Sequence, residues 1–271
     1  MQTLPLTLLC PLDGLPLHTD NHVARCSSGH AFDWAKEGYL NLLPVHAKQS
    51  KDPGDSPLMV QARRRFLSTG YYHFFMDALC THIPHEAHHI LDAGCGEGSY
   101  IQRFCHTLHH ADQHFYGVDI SKHAVKAAAK LYPHATWLVA SNRQLPFPSH
   151  SLDVVICAFG FPVWHEFKRV LKENGRVIML DPAPNHLIQL RQSLYQNVVI
   201  KESDFLCPDD FTLQHSETIQ THISVTQADH IADLIAMTPH QHRATQQAIT
   251  HICQTGCPHL TLEATIRILC A

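Results

Sequence analysis

Charge is sparse in this chain. Asp, Glu, Lys and Arg make up only 16% of its 271 residues, and neither sign dominates, with 20 basic against 24 acidic side chains. That balance excludes a protein that holds nucleic acid by bulk electrostatics, so any contact with a polyanion has to be local. Long apolar runs are missing too: none approaches the roughly 20 residues that a bilayer-spanning helix needs, and no membrane association is expected. The largely apolar start carries no basic group, and small residues do not precede Cys10, which argues against a cleaved signal or a lipoprotein site. The expected location is therefore cytoplasmic. Internal repeats and low-complexity tracts are absent as well.

What the chain does have is a 45% hydrophobic content, ten cysteines and 25 histidines. At this length such content supports a full core with a small appendage. Most cysteines, such as Cys80, Cys105 and Cys157, sit singly within apolar patterns and read as small buried residues rather than disulfide partners. The histidines make the formal charge of −4 sensitive to pH just below neutrality.

The most informative segment is Ile90-Leu91-Asp92-Ala93-Gly94-Cys95-Gly96-Glu97-Gly98, followed by Phe115-Tyr116-Gly117-Val118-Asp119. An apolar run ends in an acid, glycines recur at every second position, and a helical pattern covers 99–108. Glycine at such a turn lets backbone approach a ligand, because it lacks Cβ and tolerates positive φ. A dinucleotide fingerprint is G-x-G-x-x-G with the pyrophosphate on the helix N-terminus. Here the spacing is G-x-G-x-G, and Asp92 would repel a pyrophosphate but suits the cationic methionine end of S-adenosylmethionine (SAM). Asp119 closes the next apolar run, where a carboxylate can accept from both ribose hydroxyls.

Strands are expected near 88–92, 114–119, 136–140, 152–159 and 176–181, with helices at about 58–68, 99–108, 122–131 and 163–171. Alternating strands and helices give an α/β fold: a Rossmann-like, doubly wound, mostly parallel sheet of the class I SAM-dependent methyltransferase type. The tail 260–269 alternates polar and apolar residues and predicts a closing strand with one polar face. Residues 46–57, with Lys48, Lys51 and Asp52-Pro53-Gly54-Asp55, carry turn chemistry and read as an exposed loop.

Before residue 45, Cys10-Pro11-Leu12-Asp13 and Cys26-Ser27-Ser28-Gly29-His30 resemble two zinc knuckles in which one cysteine has become aspartate. Thiolate, imidazole and carboxylate all bind zinc, so Cys10, Asp13, Cys26 and His30 form a possible set, with His18 and His22 as rivals. A module this small needs a staple, so the role would be structural. The expected organisation is a zinc-ribbon-like module over 1–45, a loop and linker helix over 46–75, and a catalytic domain over 76–271.

Several stretches together resemble the bacterial 23S ribosomal RNA guanine-N1 methyltransferases. They include Ala35-Lys36-Glu37-Gly38-Tyr39-Leu40-Asn41, Gln61-Ala62-Arg63-Arg64, Gly70-Tyr71-Tyr72, the glycine turn, Leu145-Pro146-Phe147, His186-Leu187 and Met237-Thr238-Pro239. The resemblance implies SAM and Zn²⁺ as bound groups, a 23S ribosomal RNA hairpin loop as substrate, and a homodimer whose cleft admits it. Carried over by position, Tyr72, Tyr100, Ile101 and His186 line the SAM pocket, alongside Asp92, Gly94, Gly96, Gly98 and Asp119. The sequence departs from the family pattern at Asp13, at 157–162 after the fourth expected strand, and at His240.

Guanine N1 carries a proton, so a nearby acceptor should assist the transfer; Asp181 and His186 are the candidates. Arg63, Arg64 and Arg65 are expected to contact RNA phosphates. Two other readings stay open: methylation of a small molecule or protein, with the N-terminal module used for docking, and a catalytically weakened ribosome-assembly factor that binds RNA.

Overall fold

The computed structural model describes residues 5–44, 53–108, 112–200 and 205–271. Most of the expected 46–57 loop, including Lys48, Lys51 and Asp52, lies outside the described residues. A three-stranded antiparallel sheet, β1 (His18–Asp20), β2 (Val23–Arg25) and β3 (Ala31–Asp33), forms the N-terminal module. The main sheet has eight strands. In chain order they are β4 (Tyr39–Asn41), β5 (His89–Ala93), β6 (His114–Asp119), β7 (Thr136–Val139), β8 (Leu152–Ala158), β9 (Leu171–Pro182), β10 (Thr212–Val225) and β11 (Cys257–Cys270), and in space β10-β11-β9-β8-β5-β6-β7-β4. From β9 to β4 the neighbours run parallel, whereas β10, β11 and β9 pair antiparallel.

The helices are α1 (Pro57–Ser68), α2 (His73–Cys80), α3 (Ser99–Leu108), α4 (Lys122–Leu131), α5 (Trp164–Val170), α6 (Ile188–Leu194), α7 (Ala228–Ala236) and α8 (Gln246–Thr255). Local chemistry explains several of their starts. Ser56 accepts from the Met59 amide and Pro57 opens α1, while Ser121 accepts from the Ala124 amide at the start of α4. One apolar cluster gathers residues of α1 to α4, α6 and α7 on one face of the sheet. A second, around Leu91, Tyr116, Leu138, Phe147 and Phe167, fills the other and includes Cys10 and Cys26 of the N-terminal module.

One expectation is corrected. The tail strand β11 is not a half-exposed edge: it lies between β9 and β10, and its polar residues Thr261, Glu263, Thr265 and Arg267 are all buried. Each has a partner instead of water. Gln189 bonds Thr261, Asn185 bonds Glu263, Thr218 bonds Thr265 and Asp181 bonds Arg267. Tyr39–Asn41, placed in the N-terminal stretch by the sequence reading, pairs with β7 and so couples that stretch to the main sheet.

Gly117 of β6 faces Trp137 of β7, which is fully buried and donates its indole N–H to the Tyr132 carbonyl at 2.7 Å. A Cβ at Gly117 would overlap the Trp137 ring. Overpacking of this kind costs about 1–3 kcal/mol. Gly117→Ala should therefore lower the unfolding free energy by that amount, read as a lower urea midpoint at unchanged m-value, and an unmoved midpoint would mean that Trp137 swings aside freely.

Candidate functional site

β5 delivers Asp92 to the carboxyl edge of the sheet, and the chain then turns through Gly94, Gly96 and Gly98 at φ of +100°, +54° and +91° before α3 begins. The turn is held by the end of β6: the Gly94 and Cys95 amides donate to the Val118 carbonyl at 2.8 and 3.0 Å, and the Gly96 amide donates to Asp119 Oδ2 at 2.9 Å. Asp119 Oδ1 accepts from the Ser121 amide at 2.7 Å. Both Asp119 oxygens are therefore engaged by backbone, and each keeps lone-pair capacity for a ligand hydroxyl. A Cβ at Gly94 would meet nothing within 4 Å, so space opens above that residue.

Two carboxyl groups, Asp92 and Glu97, are buried around this turn, and a third, Asp119, is half-buried. Asp92 is 3% exposed and Glu97 2%. Burial, reinforced by the charges of Asp119 and Glu97, pushes the Asp92 carboxyl up to about 8. Burial raises Glu97 and Asp119 as well, against the hydrogen bonds from Ser99 and from the Ser121 and Gly96 amides. Arg63 is the cation whose field opposes this at Glu97 and Asp119. Its guanidinium is shared with Asp55 at 2.8 Å and the Met237 carbonyl at 3.3 Å.

Beside the acids, Tyr100 buries its hydroxyl without a hydrogen-bond partner among the described residues. Leaving such a group unpaired costs roughly 1–3 kcal/mol, which a polar ligand would recover. Ile101, by contrast, packs its side chain in the core, so only its backbone could face a ligand. Tyr72 and His186 meet next to Phe75 and Phe159, with ring centroids 5.3–6.2 Å apart. Burial lowers His186 to about 4, so it is neutral near pH 7. Its Nδ1 accepts from the Glu263 amide at 3.3 Å, which puts the proton on Nε2. Nε2 therefore donates to the Tyr72 hydroxyl, 3.3 Å away.

That pattern corrects the expectation of His186 as proton acceptor: its one acceptor nitrogen is already engaged by a sheet amide. Asp181, at the end of β9, is bound to Arg267 at 2.9 Å and remains partly exposed. Strand alternation sends it to the face opposite Leu180, which packs in the Tyr72 cluster. The structure thus brings Asp92, the glycines, Tyr100 and Asp119 together, sets Tyr72 and His186 beside one another, and separates Asp181 from His186.

The arginine triplet does not present a single face. Successive helical residues point about 100° apart, and the three side chains take three directions. Arg63 turns to the glycine turn, and Arg65 is clamped through two donors by Asp233 of α7. Arg64 lines a groove with His73, Arg103 and His106. Glu97 and Arg63 are pocket residues that sequence reasoning missed. The acid inside the glycine turn was the available signal for the first, whereas nothing local marked the second.

In the N-terminal module the expected metal ligands converge. Cys26 Sγ lies 3.3 Å from both Asp13 Oδ2 and His30 Nδ1, His30 Nδ1 lies 3.0 Å from Asp13 Oδ2, and Cys10 Sγ lies 3.5 Å from His30 Nδ1. One atom from each residue lies within 4.8 Å of all the others. Two thiolates, an imidazole and a carboxylate at this spacing fit the edges of a zinc tetrahedron. His18 and His22 stand outside the group.

A family model described as "RlmA, N-terminal", a zinc ribbon, matches residues 8–51, and a methyltransferase-domain model matches 90–179. The chain is 30% identical to YxjB of Bacillus subtilis (strain 168), provisionally named a 23S rRNA (guanine-N(1)-)-methyltransferase, over 89% of this chain and 88% of that protein. It is also 30% identical to the 23S rRNA (guanine(748)-N(1))-methyltransferase of Streptomyces fradiae, over 69% of this chain and 67% of that protein. The chain belongs to the 23S rRNA guanine-N1 methyltransferase family. It is accordingly a SAM-dependent methyltransferase with a structural zinc ribbon, and the acid-lined turn and the converged ligand set fit both groups.

Two outcomes are expected. The folded Asp92 carboxyl holds its proton to about pH 8, whereas the ordinary value is 3.8. The folded state binds the extra proton between those values, so wild-type stability falls as pH rises across that interval. Asp92→Asn should gain stability over wild type from about pH 4 to pH 8 in thermal melts, and should bind SAM more weakly above pH 8. A pH-independent difference would contradict the assigned burial. At the ribbon, Asp13→Cys should hold zinc more tightly against a chromophoric chelator, because thiolate is the softer ligand.

Proposed function

We propose that this protein transfers a methyl group from SAM to N1 of a guanine in a hairpin loop of 23S ribosomal RNA. The observation that carries this reading is the group of three carboxyls around the glycine turn, Asp92 and Glu97 buried and Asp119 half-buried, which favours a cationic ligand over a phosphate-bearing one. When bound, SAM supplies an electrophilic methyl carbon on sulfonium. Asp119 would hold the ribose, Asp92 and the Gly94 to Gly98 backbone would face the methionine end, and Tyr100 would gain the partner its hydroxyl lacks. Tyr72, oriented by neutral His186, would present a hydroxyl to the same pocket.

The work left to the protein is to align nucleophile and methyl and to accept or share the N1 proton. With His186 committed to the Glu263 amide, Asp181 is the candidate that remains for that proton, although its side chain leaves β9 on the face away from Tyr72 and would have to release Arg267 to serve. It stands at the end of β9, next to the loop 159–162 after β8, where the Phe159 amide donates to the Leu180 carbonyl at 2.7 Å. In that loop Phe161 is 90% exposed. An exposed aromatic face suits stacking with an unpaired base, which supports a single-stranded loop as substrate.

The organisation proposed is an N-terminal ribbon that helps hold RNA and a catalytic unit beyond residue 76, acting as a homodimer in the cytoplasm. No helix among the described residues is long and apolar enough to cross a membrane. Mass mapping of ribosomal RNA from cells with and without the gene tests the reaction, and an N1-methylguanine absent from the deletion is the expected result. For the residues, Asp181→Asn should lower kcat about 10²- to 10⁴-fold and remove the acidic limb of its pH profile. Phe161→Ala should raise KM for RNA while leaving SAM affinity unchanged. Undiminished turnover would remove Asp181 from the role of acceptor.

A further inference from the structure

The edge strand β10 has its even-numbered residues from Ser216 to Ser224 exposed, while Glu217, Ile219 and Ile223 face inward. His215, itself exposed, lies on the same side of the strand as Glu217, two residues apart, after a register shift between Leu213 and His215. His82, just past the end of α2, reaches the same place from 135 residues away in sequence. His82 Nε2 lies 3.0 Å and His215 Nε2 3.3 Å from the same oxygen, Glu217 Oε1. The two imidazole rings sit 5.4 Å apart at 37°.

We propose that His82, His215 and Glu217 form a second metal site, separate from the N-terminal ribbon, for a first-row divalent ion such as Zn²⁺. One ligand atom from each residue lies within 4.8 Å of the other two. Zinc bonds of about 2.0–2.1 Å in a tetrahedron place ligand atoms roughly 3.3 Å apart, close to the two measured separations. Two imidazoles and one carboxylate suit zinc, cobalt or nickel rather than calcium or magnesium. His82 is largely shielded, with 18% of its side chain exposed, whereas His215 and Glu217 are 46% and 41% exposed. An ion can therefore enter from solvent and keep a water ligand. Its mechanical effect would be to fasten the start of a 14-residue edge strand to the end of α2. That strand pairs with β11, which carries Arg267, the partner of Asp181.

The test is metal stoichiometry on the full chain. Wild type, His215→Ala, His82→Ala and Cys26→Ser are dialysed against micromolar free Zn²⁺ under reducing conditions, and bound zinc is measured by atomic emission. The expected result is loss of one zinc per chain in each histidine variant, while Cys26→Ser keeps the His215-dependent ion. Cobalt substitution separates the two centres. His215→Ala should lose only the share of the visible d–d absorption that comes from the histidine–glutamate site, and keep the ribbon's own d–d bands together with its near-ultraviolet thiolate charge-transfer band. His215 is exposed, so its replacement should leave the far-ultraviolet circular dichroism unchanged. Equal zinc content in wild type and His215→Ala would overturn the proposal.

Discussion

Grouping the buried Asp92 and Glu97 with the half-buried Asp119 costs free energy that a cationic ligand can return. Each would ionise freely in water, desolvation resists ionisation at all three, and like charge adds to it at Asp92 and Asp119. The parallel strands β5 and β6 enforce this by ending side by side, with Asp92 opposite Gly117 and the Gly96 amide on Asp119. Glycines at positive φ close the turn without Cβ atoms in the space above. A cation brought into that space relieves the repulsion, which is why a sulfonium nucleoside fits where a pyrophosphate would not.

The rest of the molecule supports and frames this pocket. Arg63 reaches it from α1, and α1 is itself fixed to α7 by the Arg65 pair with Asp233. The antiparallel extension of β10 and β11 supplies the Glu263 amide that sets the His186 tautomer, and the Arg267 that restrains Asp181. At the opposite edge, β4 joins the ribbon to β7, and Cys10 and Cys26 pack with the lower core. The ribbon is thus attached to the catalytic sheet by backbone pairing as well as by side-chain packing.

Legibility in the sequence followed locality. The strand at 114–119 and the helices at 99–108 and 122–131 coincide with β6, α3 and α4, because continuous apolar runs and helical periodicity are local signals. The ribbon ligands were readable for the same reason: each half is a short knuckle. The last third was not. β10 has few apolar residues and reads as a polar stretch, and the polar alternation of β11 reads as solvent-facing. Its polar groups are buried because Asn185, Gln189, Thr218 and Asp181 come from elsewhere in the chain to meet them. The arginine triplet misled similarly, since its partners Asp55, Met237 and Asp233 are assigned only by the tertiary fold.

The most direct measurement is calorimetric titration with SAM near pH 7.5 in two buffers of different ionisation enthalpy, with S-adenosylhomocysteine as the uncharged-sulfur control. A protonated Asp92 that must ionise to receive a sulfonium releases its proton on binding, so SAM should liberate more protons than the control, and Asp92→Asn should abolish the difference. Equal proton release for the two ligands in the wild type would contradict the idea that buried carboxyls select the methyl donor by its charge.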